Sequence, residues 1–389
     1  MRRHLLTASR ALEAGAVPLE ERLALVRYLE QKALADAPTW FQPDEGLAWA
    51  CREYFYVADR LMDQLERDRS TCPRSNMAAR QLASTSAALI HRVLAYSPQL
   101  DAQEVLAAPV LATACGASAR FRQWCSPDEP GHDRMMIVMV YSLVGLVTRA
   151  ACGLLSIKPR DGEPELDDAW KVVDEALNVT ESLFEQHPQE SSWFDLAPGR
   201  GQQGSRIVRS MRGIAGSCEV LAGLGEERSF GSLCRTVDQI ERMWPAVFER
   251  PTELAAAIMA LAHVVQAQAV AREEQFVDHN RLSYRAAWLA RQAASRKSAE
   301  PLVARALLEL CATMACADGM AVSEGEGDSR LRGLAAELTI TTIEGGGLRA
   351  EDTFSALGNL SNLAAAVAER GCDDAASLMS VCGRALTAF

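Results

Sequence analysis

The side chains best placed to do chemistry in this chain are arginines. Arg206, Arg209 and Arg212 recur every three residues, a spacing that drifts slowly around one side of a helix. With Arg200 they form a basic patch suited to an anion, an acidic or phosphorylated partner, or an RNA backbone. A second group, Arg281, Arg285, Arg291 and Arg296 with Lys297, is interleaved with Tyr284 and Trp288. Arginine with aromatic rings can stack bases. Arg281 and Arg285 lie four apart on one face, however, whereas Trp288 falls on the apolar side in the register of its neighbours, so the aromatic rings are expected in the core.

Patterns that would signal catalysis or a cofactor fail on inspection. Gly199-Arg-Gly-Gln-Gln-Gly204 has the spacing of a dinucleotide loop and Ser205 opens an expected helix, but Trp193 to Pro198 is too short and proline-ended to supply the strand that must precede it. Asp167-Asp168 resembles a magnesium-binding motif of prenyl diphosphate enzymes until Lys171. Asn178, Ser182 and Glu185 miss the companion spacing by one residue, and both stretches fall on one helix, where carboxylates cannot sandwich a diphosphate. Glu324, Glu326 and Asp328 echo the start of a calcium loop, but Ser329 stands where a glycine and Ala335 where a bidentate glutamate would be needed. Glu273, Glu274, Asp278 and His279 bring metal-ligand types together without a matching helix. No CxxC pair, nucleophile elbow or Walker loop occurs in the sequence. No catalytic, metal-binding or cofactor-binding residue is therefore assigned, and no cofactor is expected. An all-α enzyme would need a site assembled from distant residues: a deep pocket with converging carboxylates, or His263 facing acids.

The elements that must position these residues are helices. Apolar residues recur at three- and four-residue spacing between prolines and glycines, which predicts helices near 3–15, 19–36, 44–68, 75–97, 101–126, 133–157, 165–187, 205–224, 228–249, 252–275, 281–297, 300–318, 329–343, 350–370 and 373–388. Pro109 and Pro245 should kink their helices or start new ones. Asp101, Thr252 and Asp352 suit helix N-termini. Leu338 to Ile343, with three threonines, is the one β-like run, and a helix end fits it equally well.

Three segments share a register: Leu82-Ala-Ser-Thr-Ser-Ala-Ala-Leu89, Leu282-Ser-Tyr-Arg-Ala-Ala-Trp-Leu289 and Leu357-Gly-Asn-Leu-Ser-Asn-Leu-Ala364. Each precedes a polar turn and a second apolar helix near Asp101, Glu300 and Asp373, giving units of about 35 to 40 residues. On these segments the chain resembles the armadillo, HEAT and related helical-hairpin repeat proteins, which include arrays in bacterial effectors and organellar RNA-binding proteins. The resemblance implies an all-α fold of stacked helical hairpins, an α-solenoid; an irregular helical bundle is the alternative. Seams fall at Leu155–Pro164, Glu190–Gly204 and Gly319–Arg330, suggesting an N-terminal helical region 1–160 and a repeat region 161–389, or one continuous array.

A formal charge of -11 over 389 residues argues against wrapping DNA, since polyphosphate binding draws on lysine and arginine. Only four of the forty basic residues are lysine: Lys32, Lys158, Lys171 and Lys297. GC-rich codon usage in a bacterium or alga explains that bias, and so would selection against ubiquitination in a bacterial effector acting in a host cell. Eleven scattered cysteines point to a reducing, cytoplasmic compartment, or host cytosol after secretion. The charge-free run Met135 to Val147 is shorter than the roughly 20 residues of a membrane span, so a buried helix and no membrane are expected. The expectation is a non-enzymatic scaffold with a protein partner; RNA binding is the runner-up.

Overall fold

The computed structural model describes residues 2–14, 17–35, 56–58, 60–67, 73–82, 110–128, 131–157, 164–186, 201–270, 280–320 and 328–349, with the single positions 352 and 358. The protein is all-α, with no strand among the described residues. In chain order the helices are α1 (Arg2–Glu13), α2 (Leu19–Ala35), α3 (Val110–Trp124), α4 (His132–Ile157), α5 (Pro164–Gln186), α6 (Gly201–Gly223), α7 (Ser229–Phe248), α8 (Pro251–Val270), α9 (Asn280–Lys297), α10 (Pro301–Met320) and α11 (Asp328–Glu344). Further helical segments occupy 60–67 and 73–82.

Local chemistry explains several boundaries. Proline opens α5, α8 and α10, the one helical position where its missing N–H costs nothing and its fixed φ helps. Pro245 sits in the last turn of α7, which runs unbroken to Phe248. Helix α6 ends in a Schellman arrangement: Gly225 adopts φ +93°, its N–H donates to the Ala222 carbonyl, and the Glu226 N–H donates to that of Leu221. The β-like run Leu338–Ile343 is the end of α11. The Thr339, Thr341 and Thr342 hydroxyls donate to the carbonyls of Ala335, Glu337 and Leu338 one turn back, so the branched residues sit in the helix with their polar groups satisfied.

The chain divides into two compact units, Met1–Pro188 and Gln189–Phe389. The division follows α5, which packs on both α3 and α4 and so belongs with them. In the first unit, the Arg22 guanidinium donates to the Gln64 carbonyl at 3.0 Å and the Gln64 amide to that of Leu12 at 3.1 Å, tying α1 and α2 to segment 60–67. Helix α4 is long and apolar enough to cross a membrane by length and composition. Here it buries Met136, Met139, Val140, Leu143, Val147 and Leu154 in a packing with α5 and α3.

The second unit is built in two layers. Helices α6, α8 and α10 are successive neighbours in one layer, and α7, α9 and α11 in the other; each helix also packs on the next in sequence. Central α8 touches α6, α7, α9 and α10, which explains why its sequence is apolar nearly all round. It buries Leu254, Ile258, Leu261, Val264 and Val265, each fully buried side chain stabilising by roughly 1.5–3 kcal/mol. Helix α9 instead buries Ala286, Ala287, Ala290, Ala293 and Ala294, so its inward arc is built largely of small residues. The turn after it is held by glycines. A Cβ on Gly345 or Gly347 would overlap Ser298 and Ala299, and Gly346 between them has φ +73°, so the Gly345–Gly347 triplet lets α11 close onto the α9–α10 turn. Of the three aligned segments, only Leu282–Leu289 lies wholly among the described residues.

Candidate partner-binding faces

The outward arc of α9 carries Arg285, Trp288 and Arg291, while Leu282, Leu289 and the alanines face inward. Trp288 is 60% exposed. This corrects the expectation of a core tryptophan. Leu289 anchors the buried face, and the residue before it is turned by about 100°, which carries Trp288 out between the two flanking helices. The arginines beside it are engaged. Arg285 donates to both Glu241 oxygens, at 2.8 and 2.6 Å, and to Asp238 at 2.6 Å, all on α7. Arg291 donates to Glu337 of α11 at 2.7 Å. Lys297 donates to Glu249 at 2.9 Å, and its ammonium lies 5.6 Å from the centre of the Phe248 ring. Hydrogen bonding to Glu241 raises the Arg285 pKa above its usual value, against an opposing effect of burial. The second basic cluster is thus a set of ion pairs stitching α7, α9 and α11 side by side. Arg296 is exposed in the last turn of α9 and makes no ion pair among the described residues. The side chain of Arg281 lies outside them.

The first basic cluster is different. Arg206, Arg209 and Arg212 are all exposed on α6, and none makes an ion pair or side-chain hydrogen bond among the described residues. Arg200 lies outside those residues. The glycine motif ends inside this helix, not before it: α6 begins at Gly201, so Gly201 to Gly204 form its first turn and cannot be a loop around a phosphate.

Further along α6, the Glu219 carboxylate meets His263 Nδ1 of α8 at 2.7 Å. The imidazole lies 3.6 Å from where a Cβ on Gly216 would stand, so the glycine makes room for the ring. Both side chains are about a third exposed. His263 therefore faces an acid, but among the described residues no cluster of three or more metal-ligand side chains accompanies it.

In the first unit one polar cluster escaped the sequence reading. Glu175 of α5 is 4% exposed and accepts hydrogen bonds from Ser118 and Arg122 of α3, each at 3.1 Å. Burial raises its pKa, and Arg122 acts in the opposite direction. Burial, with help from Glu175, pushes the nearby Cys115 thiol up to about 12, so it stays protonated and is no nucleophile at neutral pH. Burial likewise raises Cys218 and pushes Cys311 up to about 12. The six cysteines whose side chains are described, Cys115, Cys125, Cys152, Cys218, Cys234 and Cys311, are free thiols. The signal for Glu175 was the second of two adjacent acids inside the run Val172-Val-Asp-Glu-Ala-Leu177, with Ser118 and Arg122 one turn apart on another helix. The aspartate pair on α5 is spoken for, because Lys171 bridges Asp167 and Asp168. The clusters at 273–279 and 324–327 lie outside the described residues.

Compared with known proteins, the chain matches no protein-family model and shows no significant match to a curated protein. The faces described above therefore rest on their own geometry. Of the two basic clusters, one is largely taken up by ion pairs within the fold, and the other is exposed without an ion pair among the described residues.

Proposed function

We propose that the chain is a helical-repeat scaffold that binds a protein partner, with the outer face of α7, α9 and α11 as a docking surface centred on Trp288. The observation that carries this reading is a large aromatic side chain, 60% exposed, held between arginines whose charges are already balanced by carboxylates from both flanking helices. Tryptophan with arginine is the composition of interface hot spots. A surrounding of paired charges costs less to desolvate than free ones. The alternating two-layer order of α6 to α11 supports the α-solenoid form of the scaffold, because stacked hairpins offer one continuous face to a partner.

A photo-reactive amino acid placed at position 288 in the full chain tests the proposal in the native cell. Protein adducts that disappear when Leu302, an exposed apolar residue of α10, carries the probe instead are expected. Adducts to RNA alone, or none, contradict it.

One observation favours a second reading, an all-α enzyme. The Glu219 carboxylate orients His263 as it would a general base. That reading requires a nucleophile or substrate cavity beside the imidazole, and a broad screen of electrophilic probes that labels nothing near His263 removes it.

A further inference from the structure

We propose that the arginine stripe of α6 is a second contact of the scaffold, one that seats an acidic segment of the protein partner. This rests on the scaffold reading and names the chemistry of part of its ligand. Arg206, Arg209 and Arg212 are all exposed, and no acid occurs between Gly201 and Cys218 to neutralise them along their own helix. The first acid downstream, Glu219, is engaged by His263 of α8. Elsewhere in the same unit, Arg285, Arg291 and Lys297 each have a carboxylate within 2.9 Å. Three guanidiniums on one helix with no carboxylate partner among the described residues, in a chain where acids exceed bases by eleven, are a local reversal of sign. They span about 9 Å along the helix axis, and successive residues step around its exposed side.

An arginine fork takes either a carboxylate or a phosphate through two parallel hydrogen bonds, so the number and spacing of charges along the ligand decide between them. A peptide can present two or three acids at this spacing and flank them with neutral residues. A nucleic acid cannot. It brings a phosphate at every nucleotide, three cations neutralise only a few of them, and the phosphates beyond the stripe meet a surface of net negative charge. The same net charge discourages an acidic peptide from settling elsewhere, which gives the stripe its selectivity.

Fluorescence anisotropy of the full chain with a labelled glutamate-rich peptide, alongside labelled single-stranded RNA of similar length, tests the inference. The peptide is expected to bind and to weaken with added salt. The triple variant Arg206→Ser/Arg209→Ser/Arg212→Ser should bind it at least about tenfold less tightly, while Leu155→Ser, at an exposed position of α4, leaves the peptide affinity unchanged. Circular dichroism melts confirm that each variant is folded. Equal peptide binding by the triple variant, tighter binding of RNA than of peptide, or no peptide binding would overturn the inference. Cross-linking at position 288 reports on the scaffold reading independently: adducts there without peptide binding leave that reading standing and remove only the acidic-segment contact.

Discussion

Helices α6 and α9 each carry a cluster of arginines, yet they use them for opposite ends. On α9 the guanidiniums of Arg285 and Arg291 are held by Asp238 and Glu241 on one side and Glu337 on the other, so they serve as struts between neighbouring helices. On α6, Arg206, Arg209 and Arg212 meet no carboxylate among the described residues and face solvent. What distinguishes the two is the facing helix. Charge patterning along one helix says little about free positive charge, because acids about 45 residues away decide whether the charge is used by the fold or offered to a ligand.

The strongest test of this contrast compares two adjacent residues. Leu289, 1% exposed, anchors α9 inward, so Leu289→Ala should lose roughly 2–5 kcal/mol in urea melts. Trp288→Ala, one position away, should lose well under half as much, since most of that ring is already in water. Equal losses would mean that the outward arc is misassigned.

Removing the struts comes next. The double variant Arg285→Ala/Arg291→Ala should lose about 1–2 kcal/mol, with the loss shrinking at high salt because these pairs are partly exposed. A pH series on the first unit supplies a smaller effect. The folded carboxyl of Glu175 has a raised pKa, so it holds its proton more tightly than in the unfolded chain. Its contribution is fully present below the ordinary carboxylate range and is lost as pH rises through the folded-state value. Glu175→Gln should flatten that decline in pH-dependent melts. The smallest effect is expected on α6, where the triple arginine-to-serine variant should shift stability by no more than about 0.5 kcal/mol. A larger loss there would show that those arginines also hold the fold together.

Much of this architecture is legible in the sequence. The expected helices 205–224, 228–249, 281–297 and 329–343 agree with α6, α7, α9 and α11 to within a few residues, because proline, glycine and three-to-four spacing act locally. Local rules also gave two answers for Leu338–Ile343, and tertiary packing chose the helix by burying Thr339 and Thr342. Trp288 was misplaced because a register anchored on leucines cannot say how wide the buried arc is; on α9 alanines fill it. The Glu175–Arg122 and Glu219–His263 pairs join positions 53 and 44 residues apart, beyond any spacing rule.

Hydrogen–deuterium exchange on the full chain, with and without a protein cross-linked or co-purified through position 288, bears most directly on the scaffold reading. Protection spread along the outward residues of α7, α9 and α11, with α6 slowed near Arg206 to Arg212, is the expected pattern. Protection confined to the neighbourhood of His263 and Glu219, with the Trp288 face unchanged, would contradict it.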